Sequence, residues 1–257
     1  MQAFDSLSRD IQQYIYDKGW PSLTSIQNAA IKQVANTDHN LILSAPTASG
    51  KTEAAFIPAL NSVEDWETGL KVLYISPLKA LINDQFQRIS ELSEYLDIPI
   101  TRWHGEVSQA QKRKVVNQPK GVLLITPESI EGMLVNRPGE AQHLFKGVEW
   151  IIIDELHSFL GTERGIHLQS LLQRISQFMQ EPRFIAMSAT LNKKDFGYAK
   201  AFFGSQRDTD ILVDRDKNDL LITIDYTSGE AGPFIARESL AAIYQYSKTE
   251  TMLIFPN

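Results

Sequence analysis

The sequence predicts an α/β fold, a doubly wound, mostly parallel sheet with helices on both faces. Two observations predict it. Short β-rich runs recur along the chain with helical stretches between them, the alternation that builds parallel sheets. Most of these runs are also apolar throughout rather than alternating, as expected for strands covered on both faces. In such sheets ligands bind beyond the carboxyl ends of the strands, so the residues just after each run carry the functional reading.

Taken in order, the runs are "NLILSA" (40–45), "KVLYIS" (71–76), "IPITRW" (98–103), "GVLLIT" (121–126), "WIIIDE" (150–155) and "RFIAMS" (183–188). Between the second and third, "ALINDQFQRISELSEYL" (80–96) places Leu81, Ile82, Phe86, Ile89 and Leu92 on one helical face. The charged stretch "GSQRDTDILVDRDKND" (204–219) reads as a connector. After it come a strand-like "LLITIDYT" (220–227), a helix expected from about 233 to 248 and a strand-like "TMLIFPN" at 251–257. A buried-type strand with nothing after it is expected to begin a second domain that is cut off here.

Composition sets outer limits. The chain has 257 residues, 43% of them hydrophobic, enough to bury a substantial core in one or two domains. It has no cysteine, which excludes disulfides and thiolate zinc sites and fits a reducing compartment. The first ten residues lack the order of a signal peptide, and no run approaches the ~18 apolar residues of a membrane span. A cytoplasmic protein is therefore expected. The net charge of −6 means that any nucleic-acid surface has to be local.

The segment "LILSAPTASGKTEAAF" (41–56) carries the clearest chemistry. An apolar run leads into a loop of small residues, Ala45, Pro46, Thr47, Ala48, Ser49 and Gly50, then Lys51 and Thr52 open an alanine-rich helix. This is the strand–loop–helix context of a phosphate-binding loop, in which backbone N–H groups and a helix N-terminus cradle phosphates. Lys51 is placed to reach the β- and γ-phosphates and Thr52 to put its hydroxyl on Mg²⁺. Ala45 stands where the pattern opens with glycine, harmless only if that position does not need a positive φ. Pro58 should kink the following helix or end its first segment. A magnesium nucleotide also needs a carboxylate at a strand end, and "WIIIDELH" (150–157) supplies two. Asp154 is assigned to Mg²⁺ and Glu155 to the attacking water as general base.

The ordered strings Pro46–Thr52 (PTASGKT), "PLKAL" (77–81), "TPES" (126–129), "DELH" (154–157) and "SAT" (188–190) resemble the first RecA-like motor lobe of a superfamily 2 helicase of the DExH type. "WHGEVSQAQKRK" (103–114) and "GTERGIHLQSLLQRI" (161–175) are similar to the large helicase-related (Lhr) group of ATP-dependent translocases. The resemblance covers nearly the whole chain. It implies ATP and Mg²⁺ as cofactors, and Gln27 as the residue that recognises adenine. Phe4 and Trp20 lie where such proteins often place an aromatic beside the base, or else belong to the core. Ser188, Ala189 and Thr190 match the triplet that links nucleotide to nucleic-acid binding, and His157 is placed to contact it.

Nucleic acid, with DNA favoured over RNA, is expected on strand-end loops. Pro77 and Lys79, His104 and Gly105, and Thr126, Pro127, Glu128 and Ser129 at a helix N-terminus suit backbone rather than base contacts. The basic "KRK" (112–114) adds charge or is a solvated helix face. In domain terms the resemblance implies a first lobe over 1–208, with 1–36 as its glutamine-motif helices. A connector follows at 209–219, and the beginning of a second RecA-like lobe at 220–257. Two other readings remain open: an ATPase that remodels duplexes without separating strands, and a nucleotide-gated binding module without turnover.

Overall fold

The computed structural model describes residues 3–189, 191–214 and 244. The chain divides into two compact units, Met1–Asp216 and Lys217–Asn257. The elements expected at 220–227, 233–248 and 251–257, and the role expected for Thr190, lie outside the described residues apart from Tyr244.

The six expected strands form where the sequence placed them: β1 (Asn40–Ser44), β2 (Gly69–Ile75), β3 (Ile100–Trp103), β4 (Lys120–Ile125), β5 (Trp150–Ile153) and β6 (Arg183–Ser188). A seventh, β7 (Thr209–Val213), completes a sheet of order β3-β4-β2-β5-β6-β1-β7. Every ladder in it is parallel. Side chains alternate across each strand, so an apolar run feeds both faces. Leu41, Leu43, Val72 and Tyr74 enter one core, and Ile42, Leu73 and Ile75 enter the other.

The first core is closed by helices α1 (Arg9–Asp17), α2 (Ser25–Asn36), α3 (Lys51–Ser62) and α4 (Lys79–Tyr95). The second is closed by α5 (Gln109–Asn117), α6 (Pro127–Asn136), α7 (Pro138–Phe145), α8 (Glu163–Ser176) and α9 (Phe196–Ala201). Helix α4 buries Ile82, Ile89 and Leu92 as its apolar spacing requires, and Gln85 shares that face.

One expectation is corrected and another is narrowed. Residues 209–213, read as the start of a connector, are strand β7, in register with β1 from Asn40↔Thr209 to Ser44↔Val213. Asp210, whose charge suggested solvent, accepts hydrogen bonds from Gln33 Nε2 at 2.6 Å and is 2.7 Å from His39 Nδ1. Its polarity is answered by partners that are distant in sequence. Pro58 does not end α3, which runs on to Ser62 with Pro58 buried inside it.

Candidate nucleotide and nucleic-acid site

The strand order sorts the motif loops into two groups. β5, β6 and β1 are consecutive in the sheet, so the loops after them, 154–158, 189–192 and 45–50, share one stretch of its carboxyl edge. β3, β4 and β2 are also consecutive, which gathers the loops 104–108, 126 and 76–78 on the adjoining stretch.

The phosphate loop is built first by backbone. Gly50 caps α3 in the left-handed region at φ 82°, where a Cβ would be strained and would lie 2.5 Å from Gln27 Nε2, displacing that amide. Ala45 is not among the residues with positive φ. It is fully buried against β6, where its N–H donates to Ser188 O at 3.2 Å, and an alanine meets no backbone penalty there. The left-handed demand falls instead on Ala48 at φ 63°.

Lys51 Nζ turns back over the loop and donates to Ala45 O at 2.5 Å and Pro46 O at 2.6 Å. The ammonium thus stands in the cradle's mouth, neutralising loop carbonyls that would otherwise oppose an anion. Partial burial pushes its pKa down, while the carboxylates of Glu155 and Asp154 push it up.

Gln27 is buried and its amide is engaged at both ends. Oε1 accepts from Thr24 N at 2.9 Å in the capping box that starts α2, and Nε2 donates to Gly50 O at 3.4 Å. Thr24 Oγ1 also donates to Ser49 O at 3.1 Å. Gln27 therefore holds the phosphate loop as well as standing beside it. Trp20 packs edge-on against Tyr14, with ring centroids 6.2 Å apart, and Phe4 is exposed.

Directly after β5, Asp154 is buried, and burial raises its pKa. Two donors offset that cost: Tyr74 Oη to Oδ2, and Glu155 N to Oδ1 at 2.9 Å. Thr52 Oγ1 donates to Gln85 Oε1 at 3.0 Å, which fixes the hydroxyl's position. One carboxylate and one hydroxyl suit a hard cation such as Mg²⁺ that takes most of its shell from phosphate and water. Glu155 sits in the left-handed region at φ 49°, a conformation that costs energy for a residue with a side chain. Its Oε2 lies 3.3 Å from His157 Nδ1, and that nitrogen is also 3.3 Å from Ser188 Oγ. His157 thus bridges Glu155 and Ser188 at the end of β6.

The neighbouring loops are joined to one another. Thr126 caps α6, its hydroxyl accepting from Ser129 N at 3.4 Å, with Pro127 next and buried. Lys79 Nζ pairs with Glu106 at 3.2 Å and lies 3.9 Å from where a Cβ on Gly105 would be. His104 is 4% exposed, neither ring nitrogen has a partner in the protein, and burial lowers its pKa. Glu128 is bound by Arg164, which also donates to Pro77 O at 2.5 Å.

Sequence reasoning missed Tyr74, Gln85 and Arg164. The signals were there: one phenol in an aliphatic strand, one amide on an apolar helix face, and one arginine at the start of a helix.

The DEAD/DEAH box helicase family matches residues 24–196. The ATP-dependent helicase Lhr-Core of Methanocaldococcus jannaschii is 29% identical over 241 residues, covering 87% of this chain and 28% of the relative. That of Sulfolobus acidocaldarius is 31% identical over 239 residues, covering 85% and 27%. Among solved structures, the Mycobacterium smegmatis helicase Lhr bound to ssDNA and AMP-PNP superposes with a TM-score of 0.73 at 28% identity, covering 83% of this chain and 28% of that one. The chain thus spans little more than a quarter of these relatives. Ordered motif loops on adjoining strand ends, together with a family match over two thirds of the chain, make it a member of the DEAD/DEAH box helicase family, of which it presents the first RecA-like motor lobe.

Proposed function

We propose that this lobe binds Mg·ATP at the β1, β5 and β6 strand ends and uses its hydrolysis to move along or unwind nucleic acid, with single-stranded DNA favoured. The observation that carries the reading is the pairing of two loop groups on one sheet edge, with His157 and Arg164 bridging loops within each. Similar proteins support the substrates: the Lhr structure holds ssDNA and AMP-PNP, and that of helicase MrfA, 26% identical, holds DNA. Among the described residues no helix is long and apolar enough to cross a membrane, and we place the work in the cytoplasm.

In this reading Lys51 leaves the loop carbonyls and moves onto the β- and γ-phosphates. Thr52 and Asp154 supply the protein's oxygens to Mg²⁺, whose chemistry is to neutralise charge on the phosphates. Glu155 orients and deprotonates the attacking water. Gln27, by pivoting from Gly50 O, reads the adenine edge. Lys79, Thr126 and Ser129 take backbone phosphates, without sequence readout.

These groups face the nucleotide from one side. Charge on the far side of the γ-phosphate is typically an arginine worth about 10³–10⁵ in rate, supplied here by a second lobe. Residues 1–257 alone should therefore bind Mg·ATP in calorimetry and hydrolyse it slowly, with little stimulation by DNA. Anisotropy of a labelled oligothymidylate should show affinity falling as salt rises. Failure to bind either ligand would overturn the proposal, and brisk DNA-stimulated turnover by this chain would overturn its two-lobe mechanism.

A further inference from the structure

We propose that the cleft between α5 and α6 is a subsite for the sugar–phosphate backbone of a single strand, extending the nucleic-acid path past the loop at 126–129. The inference rests on the nucleic-acid reading above; to the motif residues Gly105 and Ser129 it adds Gly132 and Arg137, and it gives Lys112 of the basic run a definite place.

The cleft holds about 260 Å³ and is lined by Trp103, Gln109, Lys112, Ser129, Gly132 and Arg137, among others. It opens directly from the capped loop, because Ser129 Oγ is 3.0 Å from Thr126 Oγ1. None of its lining residues is acidic, in a chain whose Asp and Glu outnumber Lys and Arg 31 to 25. Its two cations come from different helical segments and converge on the same space. Lys112 lays its stem along the cleft wall, its ammonium 5.7 Å from the Trp103 ring centre, so it is not the freely solvated lysine that a "KRK" run suggests. Arg137 pairs with Glu140 at 3.5 Å, but both are well exposed, and such a pair gives way readily to a phosphate.

Gly132 is the independent observation. It stands in the interior of α6, where glycine weakens a helix relative to alanine. Its φ is not positive, and a Cβ built on it would meet nothing within 4 Å. Neither backbone geometry nor internal packing asks for glycine there. What the missing side chain does is leave the wall of the cleft open to something that approaches the helix closely. A strand backbone meets that description: it is anionic where the cleft is cationic, and it arrives from the loop next door.

The test uses residues 1–257, a ladder of fluorescein-labelled oligothymidylates of increasing length, and thermal melts of each variant. In the wild type, affinity should step upward once the strand is long enough to pass from the 126–129 loop into the cleft. Lys112→Ala combined with Arg137→Ala should remove that step and lower the salt slope on long strands by about 1.4, or ~0.7 for each phosphate contact. Gly132→Leu should remove the same step while Tm stays level or rises, a combination that a purely structural glycine cannot give. Lys79→Ala should weaken binding at every length. If Lys79→Ala weakens binding but the cleft variants keep the full step, the subsite is refuted and the proposed function stands. Equal losses at all lengths in the cleft variants refute it as well. If the wild type binds no strand at any length, both readings fall.

Discussion

Replacing Tyr74 by phenylalanine tests whether the buried carboxylate of Asp154 is held ready by a neighbour two strands' chemistry would not have suggested. The phenol is fully buried and donates to Asp154 Oδ2, itself 7% exposed. Phenylalanine keeps the ring and its packing against Phe56, with centroids 5.6 Å apart, so the perturbation is the hydroxyl alone. A hydrogen bond to a charged group is worth about 1.5–3 kcal/mol. Its loss should raise the Asp154 pKa further, because the bond favours the ionised form. For a domain of this size each kcal/mol moves Tm by roughly 2–4 °C, so the variant should melt about 3–12 °C lower near neutral pH. The sign of the pH dependence follows from the direction of the shift. Burial already raises the Asp154 pKa, and the Tyr74 hydrogen bond opposes that by favouring the ionised form. The phenol's contribution is therefore full when Asp154 is ionised and fades as pH falls through its raised pKa. Melts of both proteins across an acidic-to-neutral series measure this. A difference in Tm below about 1 °C, or one that does not shrink in acid, would refute the reasoning.

Four further outcomes are expected. Glu155→Gln should retain Mg·ATP in calorimetry yet abolish turnover in a chain that carries both lobes, whereas Asp154→Asn should weaken binding of the metal; wild-type turnover by Glu155→Gln would move the base elsewhere. Lys51→Ala should lose nucleotide affinity without loss of fold, since among the described residues its ammonium donates only to Ala45 O and Pro46 O, and unchanged affinity would discard the site. Ala48→Gly should leave stability level or slightly raised in urea titrations. Relief of about 1–2 kcal/mol at φ 63° is set against about 0.5–1 kcal/mol of added chain entropy, so a clear loss would count against the loop geometry. Glu131, bound by Arg174 and His167, has its pKa lowered from 4.5 to about 2. A depressed carboxyl stabilises the fold above 4.5 and loses that contribution as pH falls towards 2, so Glu131→Gln should flatten the acid limb of the stability profile, and an unchanged limb would contradict the assignment.

Much of this protein was determined by sequence alone, because the responsible interactions are local or periodic. Apolar runs long enough to be covered on both faces placed β1 to β6, and small residues ahead of Gly50-Lys51-Thr52 placed the phosphate loop. Asp154 and Glu155 were singled out for the same reason, as polar residues that interrupt an apolar run at a strand's end, whereas His157 came only from the resemblance. What sequence could not supply is how partners meet across distance. β7 is a strand because β1 offers it an edge and His39 and Gln33 answer Asp210. Ala45 is tolerated because its φ is ordinary, and the glycine-like conformation falls three residues later on Ala48. Gln27 braces Gly50, Gln85 fixes Thr52, Tyr74 donates to Asp154, and Lys112 lies in a cleft rather than in solvent. The contacts of Gln27, Gln85, Tyr74 and Asp210 join residues far apart in sequence, brought together by how strands and helices assemble around the sheet, and no local periodicity encodes that assembly.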